Sequence, residues 1–446
     1  MSRINVSQLP VDPGPAAWND LLPGPTPAQS VSGDLKADWI VIGAGFAGLA
    51  AARRLQQLCP SDRIVVLEAK RLAEGPAGRN SGFMIDLPHD LSSADYGGAL
   101  QKDVQLTADN RHAINFAADM ATEYGLSDDV FSRSGKINAA ATTKGDQHNR
   151  EYAAHLTQMG EPSEMLDATA MRDLTGTDYY RSGLFTAGTA MIQPAAFVRG
   201  MAKGLTSNRG QIFENSPVTA LERSSQWKAT TPSGSVSAPK VILAVNGHLN
   251  SFGFLKGRLM HVFTYASMTR PLDADEMVAL GGKREWGLTP ADPMGTTLRR
   301  IRSEQGDRII VRNRFTYDPS MEVDQNRIVS VAKVHEKSFA ARFPMLGRVD
   351  MQYRWGGRLC VSRNNVNVVR EVDDGLFAAC CQNGLGTTRG TLSGMLAAEL
   401  ATQTRSERLD RALANDAPAK LFPRPILEIG AKAVLKWQER KAGAEL

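Results

Sequence analysis

Ala37-Asp38-Trp39-Ile40-Val41-Ile42-Gly43-Ala44-Gly45-Phe46-Ala47-Gly48 is the stretch on which the fold turns. Trp39 to Ile42 form a short apolar run, as a parallel strand buried on both faces requires. The run meets glycines at 43, 45 and 48, and Leu49 to Leu58 then reads as a helix stopped by Pro60. Arg63-Ile64-Val65-Val66-Leu67-Glu68 reads as a second strand, which completes a β-α-β unit. In that setting the glycines have separate tasks. Gly43 permits the tight turn, Gly45 lets backbone approach a pyrophosphate, and Gly48 lets the helix pack closely with its N-terminus on the phosphates. Ala44, Phe46 and Ala47 complete the turn. Glu68 lies 20 residues beyond Gly48, where it would accept hydrogen bonds from ribose hydroxyls, with Ala69 beside it. Strand, glycines, helix and distal acid in this order predict a dinucleotide site rather than a glycine-rich turn without a ligand.

The segment immediately beyond bears on which dinucleotide it is. Gly75-Pro76-Ala77-Gly78-Arg79-Asn80-Ser81-Gly82 is a second glycine loop, close enough along the chain to touch the same ligand. A nicotinamide-only dehydrogenase has no need of it there. A flavin site uses such a loop to bring backbone N–H groups and a small polar residue to the pyrophosphate and ring. Farther on, residues 100–126 show helical spacing of Ala113, Phe116, Ala117, Met120 and Tyr124, and Pro194 opens a helix through Leu205. Short strands are expected at 211–213, 218–222, 227–231 and 240–245. A long β-rich section runs from about 258 to 361. Gly375 to Cys381 reads as a buried strand leading through a glycine-rich turn into a helix at 387–403, and a last helix is expected over 421–439.

Glu68-Ala69 followed by Gly75-x-Ala77-Gly78-Arg79-Asn80-x-Gly82 resembles the D-amino-acid-oxidase superfamily of FAD-dependent oxidoreductases, and within it the glycine oxidase and γ-glutamylputrescine oxidase branch. That branch writes the segment G-A-S-G-R-N-G-G. Pro76, Ala77 and Ser81 depart from it, and the missing hydroxyl at 77 removes a phosphate contact. Val218 to Glu222 is similar to the family strand whose valine backbone meets the adenine. Lys240 to Gly247, with Ala244, Asn246 and Gly247, is similar to its "vvlAtNa" strand. Met260 to Leu272 and Arg308 to Val311 resemble strands of its central sheet. Trp355-Gly356-Gly357 is similar to the "W-x-G" where backbone approaches the flavin. Asn383-Gly384-Leu385-Gly386-Thr387-Thr388, followed by Gly394, resembles the terminal "G-x-G-H-G" turn, with Leu385 in place of the histidine.

The resemblance covers roughly residues 37–405. It implies an α/β chain in which a Rossmann-type FAD-binding domain is interleaved with a β-rich substrate-binding domain, and FAD held without a covalent bond. The implied division is an extended arm at 1–36, an FAD-binding domain from 37–90, 190–255 and 355–410, a substrate domain from 91–189 and 256–354, and a helical segment at 411–446. The implied chemistry is oxidation of a carbon–nitrogen bond in a small amine or amino acid: hydride passes to flavin N5 and water hydrolyses the imine, with oxygen the expected electron acceptor and another acceptor, as in a dehydrogenase, left open. A substrate carboxylate calls for an arginine fork. Strand alternation puts Arg300 and Arg302 on one face and Arg299 on the other, and Arg300 is the expected anchor. By family position Tyr265, Tyr317 and Met84 are expected at the pocket, and His261 and Lys256 as electrostatic helpers toward oxygen. Thr388 stands where some relatives carry a lysine, with Arg389 as a substitute. Some relatives tether FAD to a cysteine near Cys360, but Leu359 to Arg363 does not match their motif. Two other readings stay open: a flavin dehydrogenase of a 2-hydroxy acid, and a non-catalytic flavin-binding subunit.

Composition bounds these readings. A chain of 446 residues is too long for one compact core and suits two domains. Its 42% hydrophobic and 22% charged residues are ordinary for a globular protein with a sizeable core. The formal charge of +5 is spread without a basic run, which excludes a typical nucleic-acid binder and suits a carboxylate-bearing substrate. Cys59, Cys360, Cys380 and Cys381 match neither a disulfide framework nor metal-ligand spacing, so no metal is expected. Residues 1–30 lack a signal-peptide core and no apolar run is long enough to span a bilayer, which points to the cytoplasm. Residues 1 to about 36 read as an arm lying on the body, ordered around Trp18 and Leu21-Leu22.

Overall fold

The computed structural model describes residues 2–24, 27–88 and 98–446. Along the chain run β1 (Trp39–Ile42), α1 (Phe46–Leu58), β2 (Ile64–Leu67), β3 (Gly210–Phe213) and β4 (Lys240–Leu243). Next come β5 (Leu259–Thr269), β6 (Trp286–Pro290), β7 (Thr297–Ile301), β8 (Arg308–Tyr317) and β9 (Met351–Ser362). The chain then forms β10 (Val368–Asp373), β11 (Leu376–Cys380), α2 (Thr388–Ala401) and α3 (Arg424–Ala442).

The expected α/β architecture is present. β1 and β2 are buried at every position because they sit inside a six-stranded sheet of order β3-β2-β1-β4-β11-β10. All its pairs are parallel except the edge pair β10/β11. The chain leaves β1 toward β2 on one side, while β4 adds on the other, so the order reverses between β1 and β4. A crevice opens at the carboxyl ends of the strands at such a reversal. α1 and α2 cover one face, where Leu49, Leu55, Ala397 and Ala398 pack on Val41 and Ile242. A five-stranded sheet covers the other through Trp227, Leu221 and Val236. Its two edge strands, Ser2–Asn5 and Gly33–Lys36, come from the arm, and Trp18 in the short helix Ala17–Asp20 is fully buried. The arm is thus built into the body rather than laid over it.

The second body is an eight-stranded sheet ordered β9-β5-β8-β7-β6 and then Lys136–Ala140, Ser182–Thr186 and Glu164–Asp167. The boundary expected at 354/355 falls inside β9, which pairs with β5 along its length. The boundary expected at 90 lies outside the described residues. Within the section read as β-rich, residues Gln325–Arg342 form a helix. Its buried residues are Ile328, Ala332, His335, Phe339 and Arg342, recurring at intervals of four and three, together with Ser338 beside Phe339. That is helical periodicity, overlooked among long strands on either side. The other expected helices and strands occur within a few residues of their expected bounds.

Candidate active site

A cavity of about 310 Å³ lies between the two sheets. The residues at 43–48 show why its wall takes this sequence. Gly43 has φ +101°, and a Cβ there would stand 2.7 Å from the Ala244 carbonyl oxygen. A Cβ on Gly48 would stand 1.7 Å from the Gly43 carbonyl oxygen. Gly45 is different: a Cβ would meet the protein only at Ala77, 3.5 Å away, so its missing side chain leaves room on the cavity side. Gly45 caps α1 without a side-chain hydrogen bond, and Thr387 does the same for α2. The helices beginning at Thr143, Ala168, Pro194, Ala274, Gln325 and Glu407 are each capped by a side chain. The two that open on the cavity thus keep N–H groups for an anionic ligand. They are held together because Gly394 of α2 packs where a Cβ would stand 2.0 Å from the Ala47 carbonyl oxygen.

Glu68, at the end of β2, accepts the Ala44 N–H at 2.9 Å and the Lys70 N–H at 3.1 Å. Burial nonetheless pushes its carboxyl above the usual range. Gly43 to Ala47, Glu68, Ala69, Val218, Ala244, Asn246 and Gly247 all line the cavity, whereas Gly48 is spent on packing. A dry acceptor, two uncapped helix ends and a side-chain-free approach at Gly45 fit a dinucleotide.

The second glycine loop is a braced piece of the same wall. Arg79 donates from Nε to the Glu74 carbonyl at 2.6 Å and from Nη1 to the Gly356 carbonyl at 3.2 Å. The Asn80 side chain donates to the Ala77 carbonyl at 2.7 Å and accepts the Gly82 N–H at 2.8 Å. Trp355 does not line the cavity; its indole donates to the Arg79 carbonyl at 3.0 Å and holds the loop from behind, while Gly357 does line it. Gly82 also lies outside, at φ +78°, pressed against Arg299 and Ile192. Arg79, Asn80 and Ser81 line the cavity, as do Asn383 to Thr387, with Thr387 donating to the Phe83 carbonyl at 2.6 Å. Thr388 is buried beyond the wall, Arg389 donates to Asn365 at 3.1 Å outside it, and Met84 is buried behind it.

The expected carboxylate anchor is displaced. Arg300 is 2% exposed and pairs with the fully buried Asp307 at 2.9 Å, so it belongs to the sheet's far face and not to the cavity. Arg299 points the other way but is also committed, donating to the carbonyls of Ser81 at 3.0 Å and Ile192 at 2.7 Å. Arg302 is exposed beside Glu285. Three arginines line the cavity, Arg79, Arg312 and Arg358; Arg79 braces the glycine loop, Arg358 is paired with Asp12, and Arg312 of β8 lies opposite Ala266 of β5 and Thr297 of β7. A register shift between β5 and β8 leaves Arg314 at φ +63°. It puts Phe315 on the same face as Arg312, whose guanidinium stacks 4.6 Å from the ring centroid. Phe83, Ile85, Thr264, Thr289, Pro290 and Thr297 line the same cavity.

The other expected residues divide. Tyr265 lines the cavity, but its hydroxyl is hydrogen-bonded to Thr316 at 2.6 Å and burial pushes it up to about 12. His261 lines the cavity and faces Asn250 at 3.1 Å; burial, then the charge of Arg358, lowers it to about 4, so it is neutral. Tyr317 is buried outside the cavity, with Glu428 and Arg424 of α3 as its charged neighbours. Lys256 is exposed, also outside. Cys360 lines the cavity with its thiol raised by Cys381 and burial.

The sequence reading missed one whole side. Val6, Gln8, Leu9, Pro10 and Asp12 of the arm line the cavity. The Asp12 side chain, 1% exposed, holds Arg358 of β9 at 3.0 Å, and Arg358 also meets His248. Nothing in the pattern of a Pro- and Gly-rich arm signals this contact. Among the described residues no cluster could hold a metal ion, and no helix is long and apolar enough to cross a membrane.

A family model described as FAD dependent oxidoreductase matches residues 38–400. The chain is similar to γ-glutamylputrescine oxidoreductase of Escherichia coli, 25% identical over 393 residues, covering 87% of this chain and 88% of that one. In structure it is similar to glycine oxidase from Geobacillus kaustophilus, with a TM-score of 0.67 at 15% identity over 84% of this chain and 96% of that one. It is also similar to L-amino acid deaminase from Proteus myxofaciens in complex with anthranilate, with a TM-score of 0.66 at 14% identity over 86% and 96%.

Proposed function

The chain belongs to the FAD-dependent oxidoreductase family, and from that premise we propose that it oxidises the carbon–nitrogen bond of a small amine or amino acid bearing a carboxylate. The observation that carries the substrate class is Arg312, a guanidinium that lines the cavity from β8, between Ala266 and Thr297 on the neighbouring strands, and stacks on Phe315. The relatives' names, which specify glycine, L-amino acids and γ-glutamylputrescine, support the same class.

FAD supplies the acceptor for the hydride leaving the carbon that bears nitrogen. The proposed cradle is Gly43 to Ala47 and Asn80-Ser81 for the pyrophosphate, Glu68 for the ribose, and Gly384 to Thr387 with the α2 N-terminus for the flavin ring. Arg312 would take the substrate carboxylate through a two-pronged hydrogen bond and so fix which hydrogen is presented. The amine must be neutral to react. Tyr265 is a phenol held by Thr316, and His261 is a weak base, so neither removes its proton at neutral pH. The cavity's two carboxylates, Asp12 and Glu68, are tied to Arg358 and to backbone N–H groups. Desolvation in the cavity, which Phe83, Ile85 and Pro290 help to line, would therefore lower the amine's own pKa, with the proton leaving to water.

The test is anaerobic titration of the yellow holoprotein with amines, amino acids and 2-hydroxy acids. Bleaching by one class of carboxylate-bearing amine, with ammonia or an alkylamine released, supports the reading. Bleaching by 2-hydroxy acids alone replaces the substrate, and no bleaching by any of them favours a non-catalytic flavoprotein. Oxygen is the proposed acceptor, checked by peroxide release on aerobic turnover. Acid precipitation should free the flavin into the supernatant, since no covalent bond to Cys360 is proposed.

A further inference from the structure

We propose that α3 docks the protein onto an anionic phospholipid membrane surface, lying in the interface without crossing it. The helix has two apolar sides. Its inner side packs on the eight-stranded sheet: Leu435 and Ala442 join Phe315, Met294 and Leu359, and Glu439 is paired with Arg314 of β8. Its outer side carries Ile426, Ile429 and Trp437, which are 63%, 72% and 60% exposed, with Phe422 just before it at 56%. Their spacing of four, three and then eight residues keeps them on one stripe of a helix. A globular protein rarely offers water so large an aligned apolar stripe without a use for it.

Charge identifies what covers it. Lys432 and Lys436 flank the stripe on one edge, Lys441 on the other, and Arg440 lies at its C-terminal end; all four are exposed. The acids of the same helix, Glu428 and Glu439, are drawn inward beside β8 and are only partly exposed. A second copy meeting this stripe across a two-fold axis would set each cation near its counterpart, which repels. An anionic bilayer surface satisfies both features, taking up the Ile and Trp side chains while the long basic side chains reach the headgroups. The 19-residue helix fails the hydropathy needed to span. Because α3 is seated on β8, the strand that carries Arg312, docking would hold the outer wall of the substrate sheet against the membrane.

The experiment uses the FAD-loaded full chain with vesicles of phosphatidylcholine alone or mixed with phosphatidylglycerol, separated by flotation. The mixed vesicles should carry the protein roughly tenfold better than the neutral ones, and added salt should release it. Trp437 gives an independent signal. The other five tryptophans are buried, so a blue shift of emission on adding mixed vesicles reports α3. I429Q/W437Q should abolish flotation, and K432E/K436E should remove its dependence on phosphatidylglycerol, both with flavin content unchanged because these positions are solvent-facing. Failure of the wild type to float overturns the proposal. So does concentration-dependent dimerisation that I429Q/W437Q abolishes, which would assign the stripe to a second copy.

Discussion

At the scale of single residues, the glycine turn was legible because its constraints are local. Gly43 and Gly48 are forced by the backbone they touch, Gly45 by the room it leaves on the cavity side, and Glu68 by its place at the end of the next strand. The carboxylate anchor was not legible, because choosing between Arg300 and Arg312 depends on which sheet face meets the cavity and on the bulge at Arg314. The two arginines predict opposite phenotypes. Arg312→Met should raise KM for a carboxylate-bearing substrate about 100-fold, from the roughly 2–3 kcal/mol of a charged hydrogen-bonded pair, with thermal stability nearly unchanged. Arg300→Met leaves Asp307 buried with only the half-exposed Arg284, and should cost about 3 kcal/mol of stability while sparing KM. Steady-state kinetics and a melting curve on the two variants check both. A normal KM in Arg312→Met would remove this residue from substrate binding.

Among the elements, the N-terminal arm departs most from its sequence reading. Its composition offers no periodicity, and only long-range partners explain its order. Ser2–Asn5 pairs with Ala220–Arg223, Arg79 grips the Gly14 carbonyl, and Asp12 reaches Arg358 inside the cavity. The helix Gln325–Arg342 is the opposite case, since its buried positions follow a helical period that local pattern alone could have revealed. If the arm forms part of the cofactor wall, its clasp controls cofactor retention. Asp12→Ala leaves Arg358 a buried cation among the neutral His248 and His261 and a second cation, Arg79, and frees residues 6–12 from the wall. FAD should dissociate roughly tenfold faster, about 1.4 kcal/mol, read from flavin fluorescence after dilution. An unchanged release rate would mean that the arm merely borders the site.

At the scale of the whole molecule, the six-stranded and the eight-stranded sheet meet along the cavity, and buried groups along and near that joint make its stability sensitive to acid. His248 and His261 line the cavity and are lowered to about 3 and 4, while His335 lies under β5, bonded to Ser267 at 2.7 Å and lowered to about 3. In each case burial dominates, helped by nearby arginines. The sign follows directly. Below the ordinary histidine pKa of about 6.5 the unfolded chain binds protons that the folded chain refuses, so folding stability falls as pH drops from about 6.5 toward 4. At pH 5 each group contributes a loss of about 2 kcal/mol on that linkage. Glu68 and Glu445, whose carboxyls burial raises, act in the opposite direction, so the net slope of the wild type is a sum of both kinds. His335→Gln isolates one contribution, because the position is far from the glycine motifs and an amide can still face Ser267. The variant should lose less melting temperature than the wild type between pH 7.5 and 5, by the equivalent of about 2 kcal/mol. Equal losses in the two proteins would show that His335 takes up a proton without strain, and that the acid sensitivity of the fold lies in the cavity pair alone.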